Sequence, residues 1–136
     1  MNWKLILLLS LFGLAMAIGT VFWIAFDVEP YFWLVALGIT AYLIAARAGA
    51  RFFLHGLMVG LVNSVWVTSA HVVFFDTYIA SHPREAAMVA EMGSPRLMMS
   101  LLGPVIGLVS GCVIGLVAMG IARLRPVTNP SARTSP

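Results

Sequence analysis

The side chains of this sequence that could do chemistry are few. They are His55, His71 and His82, with the carboxylates Asp27, Glu29, Asp76, Glu85 and Glu91. His82 and Glu85 stand three residues apart, and His71, Asp76, Asp27 and Glu29 can reach the same end of a helical bundle. Imidazole and carboxylate together suit zinc or another transition metal. His71, His82 and Glu85 are therefore candidate metal ligands. A plainer reading competes. His82 precedes Pro83 at a helix start, so His82, Glu85 and Asp76 serve equally well in capping, turn formation and headgroup contact. No serine–histidine–aspartate arrangement, glycine-rich phosphate loop or cofactor motif can be drawn from these residues. No catalytic residue and no cofactor is assigned. The single cysteine, Cys112, lies inside an apolar run and reads as a small buried hydrophobe.

What must position these groups is a series of apolar runs. Residues 5–26 form the first, long enough to cross about 30 Å of hydrocarbon. Lys4, the leucine-rich stretch and Ala15-Met16-Ala17 imitate a cleavable leader, but the apolar run continues to Phe26, so an uncleaved helix is expected. Pro30 restricts Glu29 and predicts the end of that helix. A second run covers 31–48 and opens on Tyr31, Phe32 and Trp33, an interfacial aromatic belt. The third begins at Phe52 and continues to Ile79. The polar stretch 80–94 predicts a short interfacial helix over 83–92, with Met88, Val89 and Met92 toward lipid. The fourth span covers 97–122 and closes on Arg123 and Arg125; Pro126 and Pro130 then stop helix formation. The expected fold is an all-α membrane protein. Residues 1–125 form a bundle of four transmembrane helices, with the interfacial helix between spans three and four. Residues 126–136 form a disordered cytoplasmic tail.

Two stripes of small residues say how the spans meet. Span four carries Gly103, Gly107, Gly111 and Gly115, and span three carries Gly56, Gly60, Ser64 and Thr68, each at four-residue spacing. Residues four apart share a helix face. Lipid is as apolar as leucine, so membrane helices associate through close packing rather than hydrophobic force, and small residues permit that approach. Glycine inside a helix is about 1 kcal/mol worse than alanine in water, so four in register imply a packing reason. The stripes either join spans three and four as an antiparallel hairpin or face a second protomer in a homo-oligomer.

The polar residues of span three fall on the striped side. With His55 at zero and 100° per residue, Gly60, His71, Ser64 and Thr68 lie between about 140° and 220°, with Asn63 near 80°. Phe53, Trp66 and Phe74 are expected to face lipid. Pro104 frees the carbonyl of Ser100, which predicts a kink near Gly103-Pro104 with His71 as a donor to that oxygen. Asn63 is expected near Ser110 and Gly111. Asn63, His71 and Ser100 are thus the candidate buried polar or ligand-binding residues.

Composition sets the class. The chain has 136 residues, 61% hydrophobic and 10% charged, against about 25% charged for a soluble domain. The net charge of +3 does not point to nucleic acid, because the basic residues flank apolar runs and form no patch with interleaved aromatics. Lys4, Arg47, Arg51, Arg123, Arg125 and Arg133 alternate along the chain with the acidic 27–29 turn and the mixed 80–94 loop, which places both termini in the cytoplasm. No span carries a charge at its centre, which argues against a cation-coupled antiporter.

The runs FLHG at 53–56, NSVWVTSAH at 63–71, FFDTY at 74–78, SHPRE at 81–85 and PRLMM at 95–99 resemble a group of small four-span bacterial membrane proteins. The resemblance implies a bacterial inner-membrane protein and brings no activity or functional residues. The expectation is a non-enzymatic accessory, structural or apolar-ligand-binding component with membrane lipid as its partner. A small oligomeric channel or carrier and a metal-dependent membrane enzyme are the alternatives, and no ligand can be named.

Overall fold

A computed structural model describes residues 1–25, 27–91 and 93–124, and these residues form helices and turns without a strand. The helices are α1 (Trp3–Phe22), α2 (Glu29–Arg47), α3 (Phe52–Val73), α4 (Phe75–Ser81), α5 (Pro83–Ala90) and α6 (Pro95–Leu124). Among the described residues, four helices, α1, α2, α3 and α6, are long and apolar enough to cross a membrane. The all-α, four-span fold is therefore as expected, with its boundaries moved. Arg125, the prolines after it and the 126–136 tail lie outside the described residues, as does Met92.

α1 stops at Phe22, well short of Pro30. The N–H groups of Trp23 and Ile24 both donate to the Gly19 carbonyl, at 2.8 and 2.7 Å. Ile24 then folds back over Gly19, where an added Cβ would meet Ile24 Cδ1 at 2.8 Å. Pro30 opens α2 instead of closing α1, because its fixed φ and missing N–H suit a first helical turn. The third run also divides. Phe74, at φ −99° and ψ 31°, separates α3 from α4, and its ring packs edge-on against Phe22 at 5.3 Å. The connection between the last two spans thus holds two short helices, not one. α6 runs as a single helix through Pro104.

The spanning helices share a core near the end that carries Lys4. Leu5, Ile6 and Leu9 of α1 meet Ala41 and Ile44 of α2, Val59 of α3, and Ile114 and Ala118 of α6. α2 joins this core through its second half, where Thr40, Ala41, Ile44 and Ala45 are buried. Its first half leaves Phe32, Leu34, Val35 and Ile39 exposed. Those side chains face the hydrocarbon, which needs no covering layer of protein.

α3 and α6 meet along the two small-residue stripes, inside one chain. Gly56 lies on the Gly115 backbone, Gly60 on Gly111, Ser64 on Gly107 and Thr68 on Gly103. The register is antiparallel, one turn per pair. A Cβ added at Gly111 would sit 2.8 Å from the Leu57 carbonyl oxygen, and one at Gly115 would sit 2.6 Å from that of Phe53. Backbone cannot yield as a flexible side-chain tip can. Phe53 is accordingly half-buried against Gly115 rather than turned wholly to lipid.

Gly38 supplies the contrast, since a Cβ there meets nothing within 4 Å. Gly60→Leu and Gly111→Leu are each expected to destabilise by at least about 1–3 kcal/mol, the range for overpacking. Gly38→Leu should stay within about 0.5 kcal/mol, as at an unconstrained surface site. Reversible unfolding in mixed detergent micelles measures both; equal effects at all three sites would remove the seam from the account.

Candidate functional site

The end of the bundle opposite Lys4 gathers most of the chemistry-bearing side chains. His71 comes from the last turn of α3, Tyr78 from α4, His82 from the linker before α5, and Glu29 and Trp33 from the start of α2. The three rings stack in order. His71 and Tyr78 have centroids 4.1 Å apart, and Tyr78 and His82 4.2 Å, each pair tilted by 21°. The spacing explains the stack: positions 71, 78 and 82 are seven and four apart, which is one face of a nearly continuous helix.

Each ring is also tied to another element. Thr20 Oγ1 donates its proton to the Ala17 carbonyl at 3.1 Å, so it accepts from His71 Nε2–H, 3.2 Å away. His82 is wholly buried, and its Nδ1–H donates to the Tyr78 carbonyl at 2.9 Å. Its Nε2 faces Glu29 Oε2 across 3.4 Å, while Trp33 Nε1–H donates to Glu29 Oε1 at 3.0 Å. The contact places the α4–α5 linker against the start of α2.

Burial of Tyr78, and then the nearby Glu29 and Glu85 carboxylates, hold its phenol well above the ordinary tyrosine range. Among the described residues, Glu85 Oε2 is buried without a hydrogen-bond partner.

This geometry corrects the metal reading. The Tyr78 ring lies between His71 and His82, so the two imidazoles do not converge on one point. Among the described residues, no group of three histidine, cysteine or carboxylate side chains could hold a metal ion. A hydrolytic reading fares no better. Ser81 Oγ is 3.0 Å from His82 Nδ1, but that nitrogen's proton goes to the Tyr78 carbonyl, and the serine hydroxyl donates to the same carbonyl at 3.0 Å. A nucleophile needs a free ring nitrogen to take its proton.

The other expected polar contacts are rearranged. His71 bonds to Thr20 rather than to the Ser100 carbonyl. Ser100 is exposed, and its hydroxyl donates to Arg96 O at 2.8 Å. Asn63 lies against Gly13 of α1 rather than beside Ser110 and Gly111. Its Oδ1 is buried without a partner among the described residues. Trp66 is not simply lipid-facing, because its Nε1–H donates to Ser10 Oγ on α1 at 3.3 Å.

Sequence reasoning missed Tyr78 and Thr20 as members of the site. Tyr78 carried a usable signal in its spacing from His71 and His82. Thr20 carried none, since its role depends on which helix α1 packs against.

Alkaline titration followed at 295 nm tests the stack. Ordinary tyrosines ionise near pH 10. Because burial and two carboxylates disfavour the phenolate, Tyr78 ionises later, and the Tyr78→Phe curve should superimpose on the native one through that pH. A smaller transition in the variant would show Tyr78 ionising normally. Tyr78→Ala, which also removes the ring, should lose about 3 kcal/mol of stability, most of which Tyr78→Phe retains.

No protein-family model, curated protein or solved structure matches this chain.

Proposed function

We propose that this chain is a non-enzymatic accessory or structural component of a bacterial cytoplasmic membrane, with both termini on the cytoplasmic side. The observation that carries the reading is the filled polar face of α3. A channel or carrier lined by Asn63, Ser64, Thr68 and His71 would need that face to open on water. Instead Ser64 and Thr68 press on Gly107 and Gly103 of α6, and Asn63 presses on Gly13 of α1.

Four hydroxyls in the spans are satisfied within their own helices. Ser10, Thr20, Ser64 and Ser110 donate to carbonyls of their own helices three residues back, at 2.7, 3.1, 2.8 and 3.2 Å. A hydroxyl spent this way satisfies itself in hydrocarbon and leaves no donor for a passing solute. The surface available for work is the lipid-embedded exterior. Orientation rests on charge: Lys4, Arg47, Arg51 and Arg123 cluster at one end, and the five carboxylates at the other.

Two measurements test this. Proteoliposomes carrying the purified chain should hold proton and potassium gradients as long as protein-free vesicles; faster decay would favour the channel or carrier reading. In a Cys112→Ala background in bacterial spheroplasts, Ala87→Cys should react with a membrane-impermeant maleimide and Ala50→Cys should not. The reverse pattern would invert the topology.

A further inference from the structure

The end of the bundle that carries Lys4 holds a cleft of about 590 Å³ between the starts of α1 and α3, lined by Asn2, Trp3, Lys4, Ala50, Arg51 and His55 among others. Its electrostatics are one-sided. All five carboxylates of the chain lie between positions 27 and 29 or between 76 and 91, at the far end. Among the described residues, the ion pairs are His82–Glu29 and Arg96–Asp76, neither of which involves the cleft. Among the described residues, Lys4 and Arg51 therefore present an ammonium and a guanidinium with no side-chain carboxylate in the cleft to neutralise them.

The cleft walls are fixed by His55, which is 2% exposed. Its Nδ1–H donates to the Arg51 carbonyl at 3.0 Å, and its Nε2 accepts from the backbone N–H of Asn2 at 3.0 Å. One imidazole thus locks the two helix starts together, with both ring nitrogens occupied. Arg51 itself adopts a left-handed backbone, φ 55° and ψ 41°, a conformation that L side chains rarely take. Strain of this kind persists only where surrounding structure supports it, and the Arg51 carbonyl accepts from both the backbone N–H and the Nδ1–H of His55, at 3.1 and 3.0 Å. An arginine is thereby held at the mouth of a rigid cleft, in a position where glycine would fit without strain.

A guanidinium and an ammonium on residues that line one cleft suit a phosphate. Lys4, the second residue of α1, lies just before the apolar run, beside the half-exposed indole of Trp3, an interfacial residue type. We infer that this cleft binds the phosphate of an anionic phospholipid headgroup through Lys4 and Arg51. Basic pockets between membrane helices bind such headgroups. Soluble phosphate offers the same chemistry but lacks the acyl chains that would deliver it to this depth.

Native mass spectrometry of the full chain in detergent tests the assignment. The probes are phosphatidylglycerol, phosphatidylcholine of the same acyl chains, and inorganic phosphate alone. Phosphatidylglycerol should be retained in preference to phosphatidylcholine. Lys4→Gln and Arg51→Gln should each reduce that preference about five-fold, and Lys4→Arg should preserve it. Arg123→Gln removes a charge from the same end outside the cleft and should leave the preference unchanged. An equal loss in Arg123→Gln would reduce the effect to diffuse attraction and overturn the site. Inorganic phosphate that displaced the lipid at millimolar concentration would overturn the lipid as its ligand. Both glutamine variants remove exposed charges, and unchanged melting would confirm that they fold.

Discussion

Everything in this molecule depends on how closely α3 can approach α6. In water, two apolar helices are driven together by the solvent they exclude. In hydrocarbon that drive is absent, and association falls to dispersion between atoms in contact. Each heavy-atom pair contributes only about 0.1–0.2 kcal/mol and loses much of it across a gap of an ångström. Gly56, Gly60, Gly107, Gly111 and Gly115 remove the side chains that would hold the backbones apart, so main chain lies on main chain over several turns. The price in helix propensity is repaid by area of contact. With α3 and α6 fixed, α1 and α2 have a surface to settle on.

α1 is held to α3 by other means. The two helices run parallel, and three hydrogen bonds cross between them at three depths: Asn2 N–H to His55, Trp66 to Ser10, and His71 to Thr20. Each satisfies polar groups that lipid would leave bare, and each sets register as well as proximity. The antiparallel α3–α6 seam is nearly smooth and could slide by a turn, since its stripe repeats every four residues. The α1–α3 bonds do not repeat at one spacing and admit a single register. Packing therefore supplies contact on one side of α3, and hydrogen bonding supplies specificity on the other.

The parts legible in the sequence are those governed by a single helix. Four apolar runs, the antiparallel stripes and the basic and acidic ends follow from length, spacing and charge. What escaped depends on neighbours. The early end of α1 comes from Ile24 folding over Gly19, which no helix signal marks. The break at Phe74 accompanies a ring contact with Phe22, far away in sequence. His71 chose Thr20 over Ser100 because α1 lies on that side of α3, and the angular position of His71 was compatible with either neighbour. Grouping His71, His82 and Glu85 as metal ligands counted residue types and overlooked Tyr78, whose ring occupies the space between the imidazoles.

The two ends of the bundle solve opposite problems. At the far end, His71, His82 and the Glu29 and Glu85 carboxylates are packed inward while Asp27, Asp76 and Glu91 stay exposed, and the stacked rings of His71, Tyr78 and His82 tie the α4–α5 segment to α1 and α2. There Glu29 accepts from Trp33 with one oxygen and faces His82 with the other. At the Lys4 end the cations are left without counter-charge, while His55 spends both nitrogens holding the backbone around them. A membrane protein with a filled interior can act only through its surface, and this surface is polarised. It has a cap of mixed charge at one end, a broad apolar flank from α2 and α6, and a basic rim at the other end. On the proposed orientation and lipid assignment, the same charges that line the cleft also decide which end of the chain faces the cytoplasm.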